Sequence, residues 1–152
     1  MRGEILATDG SVLAGSKPSY LLYAYKPNFS GDFKEVSLRL SDLMIAEPDA
    51  DASPSAKSLD EIKRDYADLI FSKLLKKSFW EILVKRLDSS QKNIIDSWHV
   101  PGLGFQYSWS RFYPEASSGA HIMGFVGQDA SSQPKGYFGL EGYYERELKG
   151  LP

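Results

Sequence analysis

The sequence predicts an α+β domain, and three observations carry that prediction. Apolar runs of strand length open the chain and recur after residue 100. The stretch between them instead has apolar residues at spacings of three and four, and each change of period coincides with Gly, Pro or a helix-capping signature. The chain has 152 residues, 18 Lys+Arg against 20 Asp+Glu, a formal net charge of -2 and no cysteine. A chain of this length buries roughly 68–70% of its unfolded surface, enough for an ordinary core without disulfides or structural metal. A composition 42% hydrophobic and 25% charged fits one globular domain. Balanced charge gives no electrostatic basis for nucleic-acid binding. The missing cysteine excludes thiolate metal sites and a cysteine nucleophile.

The elements follow in order. Glu4 to Ala14 places Asp9-Gly10 between apolar runs, a hairpin signal because both residues tolerate positive φ. Tyr20 to Tyr25 is a strand-length aromatic and aliphatic run, ended by Pro27. Phe33 to Ile45 reads as a strand continuing into a short helix. Glu47 to Ser58, with two prolines and little to bury, reads as a loop or linker. From Leu59 the period becomes helical through Ile62, Tyr66, Leu69, Ile70 and Leu74, and Ser58 with Glu61 forms a capping box. The same signature at Ser78/Glu81, and a weaker one at Asp88/Gln91, predict helices over 58–76, 79–87 and 89–98. The apolar residues of the second of these, from Phe79 to Leu87, are read as core or as a groove for a partner.

Val100 to Gly104 breaks the helical run, and Phe105 to Phe112 alternates with a strand-like period of two. Tyr113-Pro114 turns out of it. Ala120 to Val126 is an apolar stretch ending at Gly127, and Gly136 to Gly139 leads into a last helix over 140–148, closed by Gly150. No window approaches about 18 consecutive apolar residues, and Met1-Arg2-Gly3-Glu4 lacks the apolar core of a signal peptide. The abrupt ends, with a strand starting at Ile5 and no tail beyond Pro152, lead to the expectation of a segment of a longer protein.

Candidate chemistry is sparse. His99 and His121 have no Asp, Glu or His at ligand spacing, so metal binding is not expected. His99 is expected to bond the last carbonyls of a helix, and His121 to pack or hydrogen-bond within a strand. Gly136 and Gly139 form neither a dinucleotide fingerprint nor a P-loop. Ser-x-x-Lys occurs at Ser89/Lys92 and Ser132/Lys135, but without the companion Ser-x-Asn and Lys-Thr/Ser-Gly motifs, so both are read as chance matches. Asp49/Asp51 and Glu145/Glu147 are read as solvated carboxylates. No cofactor is expected.

Three blocks carry a family resemblance. Arg2-Gly3-Glu4-Ile5 followed by Asp9-Gly10-Ser11-Val12-Leu13-Ala14 resembles the opening of the extracytoplasmic part of class B penicillin-binding proteins. Arg111-Phe-Tyr113-Pro114, continuing through Ala120-His121-Ile122-Met123-Gly124-Phe125-Val126-Gly127, resembles that family's Arg-x-Tyr-Pro and Ala-His-x-x-Gly-x-Val-Gly. Gly136-Tyr-Phe-Gly139-Leu140-Glu141 resembles its Gly-x-x-Gly-x-Glu block, and Val100-Pro101-Gly102-Leu103 its Leu-Pro-Gly-Ile. Order and spacing agree across nearly the whole chain. Ala7 and Thr8 depart from the family's Asp-Arg, so any interaction made by those charges is missing here.

The resemblance implies an α+β pedestal, or dimerisation, domain over residues 1–152. Its β-strands come from the N- and C-terminal parts, and 46–100 forms a linker plus helical head. It further implies a non-catalytic module of a monofunctional peptidoglycan D,D-transpeptidase on the outer face of a bacterial membrane, with an anchor before the first block and an acyl-serine domain after the third. Met1 is then an added start residue. Implied partners are the parent's own transpeptidase domain, scaffold and glycosyltransferase proteins of cell elongation or division, and a second copy of the chain; the membrane is met only through the missing anchor. A free-standing adaptor and a small serine hydrolase are the alternatives. The motif residues Arg2, Gly3, Gly10, Arg111, Tyr113, Pro114, Gly124, Gly127, Gly139 and Glu141 are expected to serve structure. At least one of Arg2 and Arg111 should form a guanidinium–carboxylate pair with Glu141, and the glycines should serve turns and close backbone approach.

Overall fold

A computed structural model describes residues 2–45, 58–114, 119–130 and 133–150. Asp49, Asp51, Ser132 and all of the expected linker except Ser58 lie outside the described residues. The fold is α+β, as predicted, and divides into two compact units: Ser19–Ser108, and Met1–Pro18 together with Trp109–Pro152.

The unit Ser19–Ser108 is built around strand β2 (Val12–Tyr25), which enters it at Ser19. After a 3-10 turn at Lys26–Asn28 come α1 (Phe33–Met44), α2 (Leu59–Leu75), β3 (Trp80–Leu87), α3 (Ser89–Asp96) and the first part of β4 (Leu103–Phe112). β3 runs antiparallel to β2, with Tyr20 opposite Leu87, Leu22 opposite Val84 and Tyr25 opposite Trp80. Leu22 and Ala24 of β2 meet Val36 and Leu40 of α1, Ile70 and Leu74 of α2, Leu83, Val84 and Leu87 of β3 and Ile95 of α3 in one core. Each such aliphatic side chain taken from water contributes about 1.5–3 kcal/mol.

Two expectations are corrected in this unit. Phe33–Ile45 is helical from its start, because Asp32 caps it, its Oδ1 accepting from Lys34 N at 2.8 Å. Val36, Ser37, Leu40 and Ser41 are buried at helical spacing. The two buried hydroxyls are satisfied locally, Ser37 Oγ donating to Phe33 O and Ser41 Oγ to Leu38 O. The second correction concerns 79–87, predicted as a helix and found as β3. A short continuous apolar run does not distinguish the two, and here pairing with β2 and the branched Ile82 and Val84 decide for the strand. The sequence Ser78/Glu81 makes no cap; the serine hydroxyl donates to Glu81 Oε2 at 3.0 Å instead. Leu83, Val84 and Leu87 are core, while Phe79 is 77% exposed.

The other helix starts agree with the sequence. Ser58 and Glu61 make both bonds of a capping box at α2, and Asp88 and Gln91 do the same at α3. The far end of α2 is capped by a cation: Lys26 Nζ donates to Lys73 O at 3.2 Å and also to Lys76 O. His99, at φ 49°, donates from Nδ1 to Ser97 O at 2.7 Å, the helix-end role expected of it.

The other unit begins with a hairpin of β1 (Ile5–Leu6) and β2, pairing Ile5 with Ala14 and Leu6 with Val12. Asp9 Oδ1 holds the turn by accepting from Ser11 N and Ser11 Oγ, and Gly10 sits at φ 84°. Pro18 is tolerated inside β2 because it falls between the residues paired with β1 and those paired with β3, where no ladder amide is lost on that edge. The apolar stretch from Ala120 divides into α4 (Ala120–Met123) and β5 (Phe125–Gln128), which pairs antiparallel with β6 (Pro134–Tyr137). His121 is therefore an exposed helix residue and not a strand residue. The last helix is two short ones, α5 (Gly139–Tyr143) and α6 (Glu145–Lys149), broken at Tyr144.

Candidate functional site

Arg2 precedes β1, Arg111 is near the end of β4, and Glu141 stands in the first turn of α5. These three segments converge on one carboxylate. Arg2 Nε donates to Glu141 Oε2 at 2.6 Å and Arg111 Nε to Glu141 Oε1 at 2.7 Å. Both arginines therefore pair with Glu141, which is fully buried. Arg2 uses its remaining nitrogens on the same helices, Nη2 to Glu141 O at 2.9 Å and Nη1 to Glu145 Oε2 at 2.7 Å. Arg111 Nη1 reaches back to Gly3 O at 2.6 Å, and its Nη2 is buried without a partner among the described residues.

Two charges of each sign meet here, so the desolvation of each is opposed by close opposite charge and by fixed N–H donors. Tyr113 adds a long hydrogen bond from its hydroxyl to Glu141 Oε1 at 3.4 Å. Burial pushes the Tyr113 hydroxyl above its ordinary pKa and the neighbouring Glu141 charge pushes the same way, with Arg111 opposing. Pro114, directly after it, is exposed at the turn leaving β4.

The motif glycines sit at turns and at close approaches of the chain. Gly3 donates its amide to Leu148 O at 2.8 Å, joining the start of the chain to α6. Gly124 (φ 71°) and Gly139 (φ 48°) lie where chain passes chain: a Cβ on Gly124 would overlap the carbonyls of Tyr137 and Phe138, and one on Gly139 that of Ile122. Gly127 faces the Tyr137 ring. Gly10 has open space around it and serves only its turn. Phe138, between these segments, holds φ 58° with its side chain 76% exposed.

Sequence reading missed three members. Glu145, read as a solvated carboxylate, is a ligand of Arg2 and also accepts from Gly136 N at 2.7 Å. Its position four residues after Glu141 was the available signal, since that spacing shares a helical face. Gly136 has Glu141 O and Arg2 Nη2 where a side chain would be. Ser16 donates from Oγ to Arg2 O at 3.0 Å. Away from the node, Lys92 Nζ pairs with Asp96 at 2.9 Å. No cluster of three His, Asp or Glu suited to a metal occurs among the described residues, and no helix among them is long and apolar enough to cross a membrane.

Glu141 Oε1 accepts from Arg111 and Tyr113 and Oε2 from Arg2, and the side chain is fully buried, so the carboxylate faces its own chain and not solvent. The node joins the segment before β1 to α5 and α6. The sequence matches the family model of the Penicillin-binding Protein dimerisation domain over residues 1–152, and the chain belongs to that family. Among solved structures it is similar to Penicillin Binding Protein 2X from Streptococcus thermophilus, at 19% identity and a TM-score of 0.54 over 97% of this chain and 22% of that one. It is similar also to Penicillin-Binding Protein (PBP2) from Helicobacter pylori, at 15% identity and a TM-score of 0.59 over 99% of this chain and 29% of that one. At these identities the likeness is one of fold, and the chain spans less than a third of either protein. No curated protein matches the sequence.

Proposed function

We propose that this domain is the non-catalytic pedestal of a membrane-anchored peptidoglycan D,D-transpeptidase acting in bacterial cell wall synthesis. The family match over residues 1–152 carries the reading. The node of Arg2, Arg111 and Glu141 supports it, because ion pairs between distant segments stiffen a spacer and perform no chemistry. Arg2, Gly3, Gly10, Arg111, Tyr113, Pro114, Gly124, Gly127, Gly139 and Glu141 then act as structural residues. In the parent, an anchor precedes the first block and an acyl-serine domain follows the third, on the outer face of the membrane. Residues 46–100 engage scaffold and glycosyltransferase proteins of the wall machinery.

Fluorescent β-lactam labelling tests this. The parent protein in membranes should label covalently, and the 152-residue chain alone should not. A label on Ser89 or Ser132 of the isolated chain would establish a small serine hydrolase instead. A parent that neither labels nor encodes an acyl-serine domain would be a free-standing adaptor.

A further inference from the structure

We propose that the unit Ser19–Ser108 carries a binding site for a neutral saccharide, in a cleft of about 460 Å³ lined chiefly by Tyr23, Tyr25, Asn28, Trp80, Gly102 and Gly104. The strands place these residues together. Register sets Tyr25 opposite Trp80, the 3-10 turn directly after β2 supplies Asn28, and Tyr25 N donates to Gly102 O at 2.7 Å, closing the other side. The Tyr23 and Trp80 ring centroids stand 5.4 Å apart with the planes tilted by 35°, so the two rings pack against each other as one aromatic pair at the cleft. Gly104 leaves room for the Tyr23 side chain, because a Cβ there would strike the Tyr23 ring and hydroxyl.

The lining selects the ligand class. It contains no Asp, Glu, Lys or Arg, so nothing compensates the charge of a phosphate, a nucleic acid or an ionised peptide. Three aromatic side chains offer apolar faces with polar tips, and Asn28 offers both a donor and an acceptor. Among the described residues, no protein group hydrogen-bonds the Tyr23 or Tyr25 hydroxyl, the Asn28 amide or the Trp80 indole N–H. A pyranose ring matches both properties, since its C–H face packs on a ring while its hydroxyls use scattered donors and acceptors. A polyproline segment is the other neutral ligand of aromatic grooves, but its backbone has no N–H and offers only acceptors, which leaves the Asn28 carbonyl oxygen without a donor, whereas saccharide hydroxyls both donate and accept. The inference rests on this lining and is independent of the pedestal reading, so the outcome of β-lactam labelling does not touch it.

The test is a titration of the isotope-labelled 152-residue chain with N-acetylchitotetraose, followed through backbone and indole N–H resonances. Saturating shifts are expected at Tyr23, Tyr25, Asn28, Trp80, Gly102 and Gly104, with the indoles of Trp98 and Trp109 unmoved. Trp80→Ala should abolish them. Asn28→Ala, on an exposed turn that keeps the fold, should weaken binding about five-fold, the worth of one hydrogen bond. Absence of shifts at about 10 mM saccharide, roughly the weakest binding such a small site delivers, overturns the proposal. So does a proline-rich decapeptide that shifts these resonances when the saccharide does not, or shifts that persist unchanged in Trp80→Ala and Asn28→Ala.

Discussion

Arg2 and Glu141 lie 139 positions apart in the chain and meet at 2.6 Å, with the carboxylate fully buried. Because Glu141 also takes Arg111, neutralising it leaves two largely buried guanidinium groups beside each other with Glu145 alone to oppose them. Glu141→Gln should therefore cost about 3–5 kcal/mol, as removal of one partner from a buried ion pair does. Urea unfolding of the purified chain measures this, and a loss below about 1 kcal/mol would mean that the node is not stabilising.

Arg2→Lys separates charge from geometry. A lysine keeps the charge but cannot serve Glu141 Oε2, Glu141 O and Glu145 at once from a planar fork. The expected loss is about 1–3 kcal/mol, smaller than for Glu141→Gln, read from the same urea midpoints.

The glycines predict a ranked series. Gly10→Ala meets only the strain of positive φ in open space, about 1–2 kcal/mol. Gly124→Ala and Gly139→Ala add a collision with backbone carbonyls that belong to neighbouring segments and cannot rotate away. Both should exceed Gly10→Ala in loss of thermal midpoint, and equal losses at all three would contradict the packing described.

Alkaline pH should act on two groups with opposite sign. Burial lowers the Lys73 pKa from its ordinary value, Glu81 partly opposing, so the unfolded chain binds the proton more tightly and stability rises with pH between the lowered value and 10.5. Tyr113 is raised, chiefly by burial, so the unfolded chain loses its proton first and stability falls as pH climbs above 10.0. Unfolding free energies across this range should show a shallower rise for Lys73→Met than for the parent chain, and a shallower fall for Tyr113→Phe.

The residues differ in how openly the sequence announced them. The hairpin at Asp9-Gly10 and the capped starts of α2 and α3 depend on neighbours within four positions, and local chemistry sufficed to read them. β3 depends on Tyr20–Tyr25, far away in sequence, and its apolar run was compatible with a helix until that partner strand was placed. Arg111 and Glu141 were visible as the charged members of motif blocks, whereas Ser16 and Glu145 belong to the node only through where the chain folds back. Phe138 shows the same limit: nothing in its type forecasts φ 58°, a conformation its bulky side chain disfavours.

The division of the chain at Ser19 and Ser108 also sets an order of events during synthesis. Every partner of the Leu22–Ile95 core has been translated before Trp109, so that unit can close while the ribosome is still adding residues. Arg2 must wait for Glu141 and Glu145, and Gly3 for Leu148. An arginine held without its carboxylate until the chain has grown 139 residues further makes the node close after the Leu22–Ile95 core, a checkpoint that a chain stopped short of Glu141 does not pass.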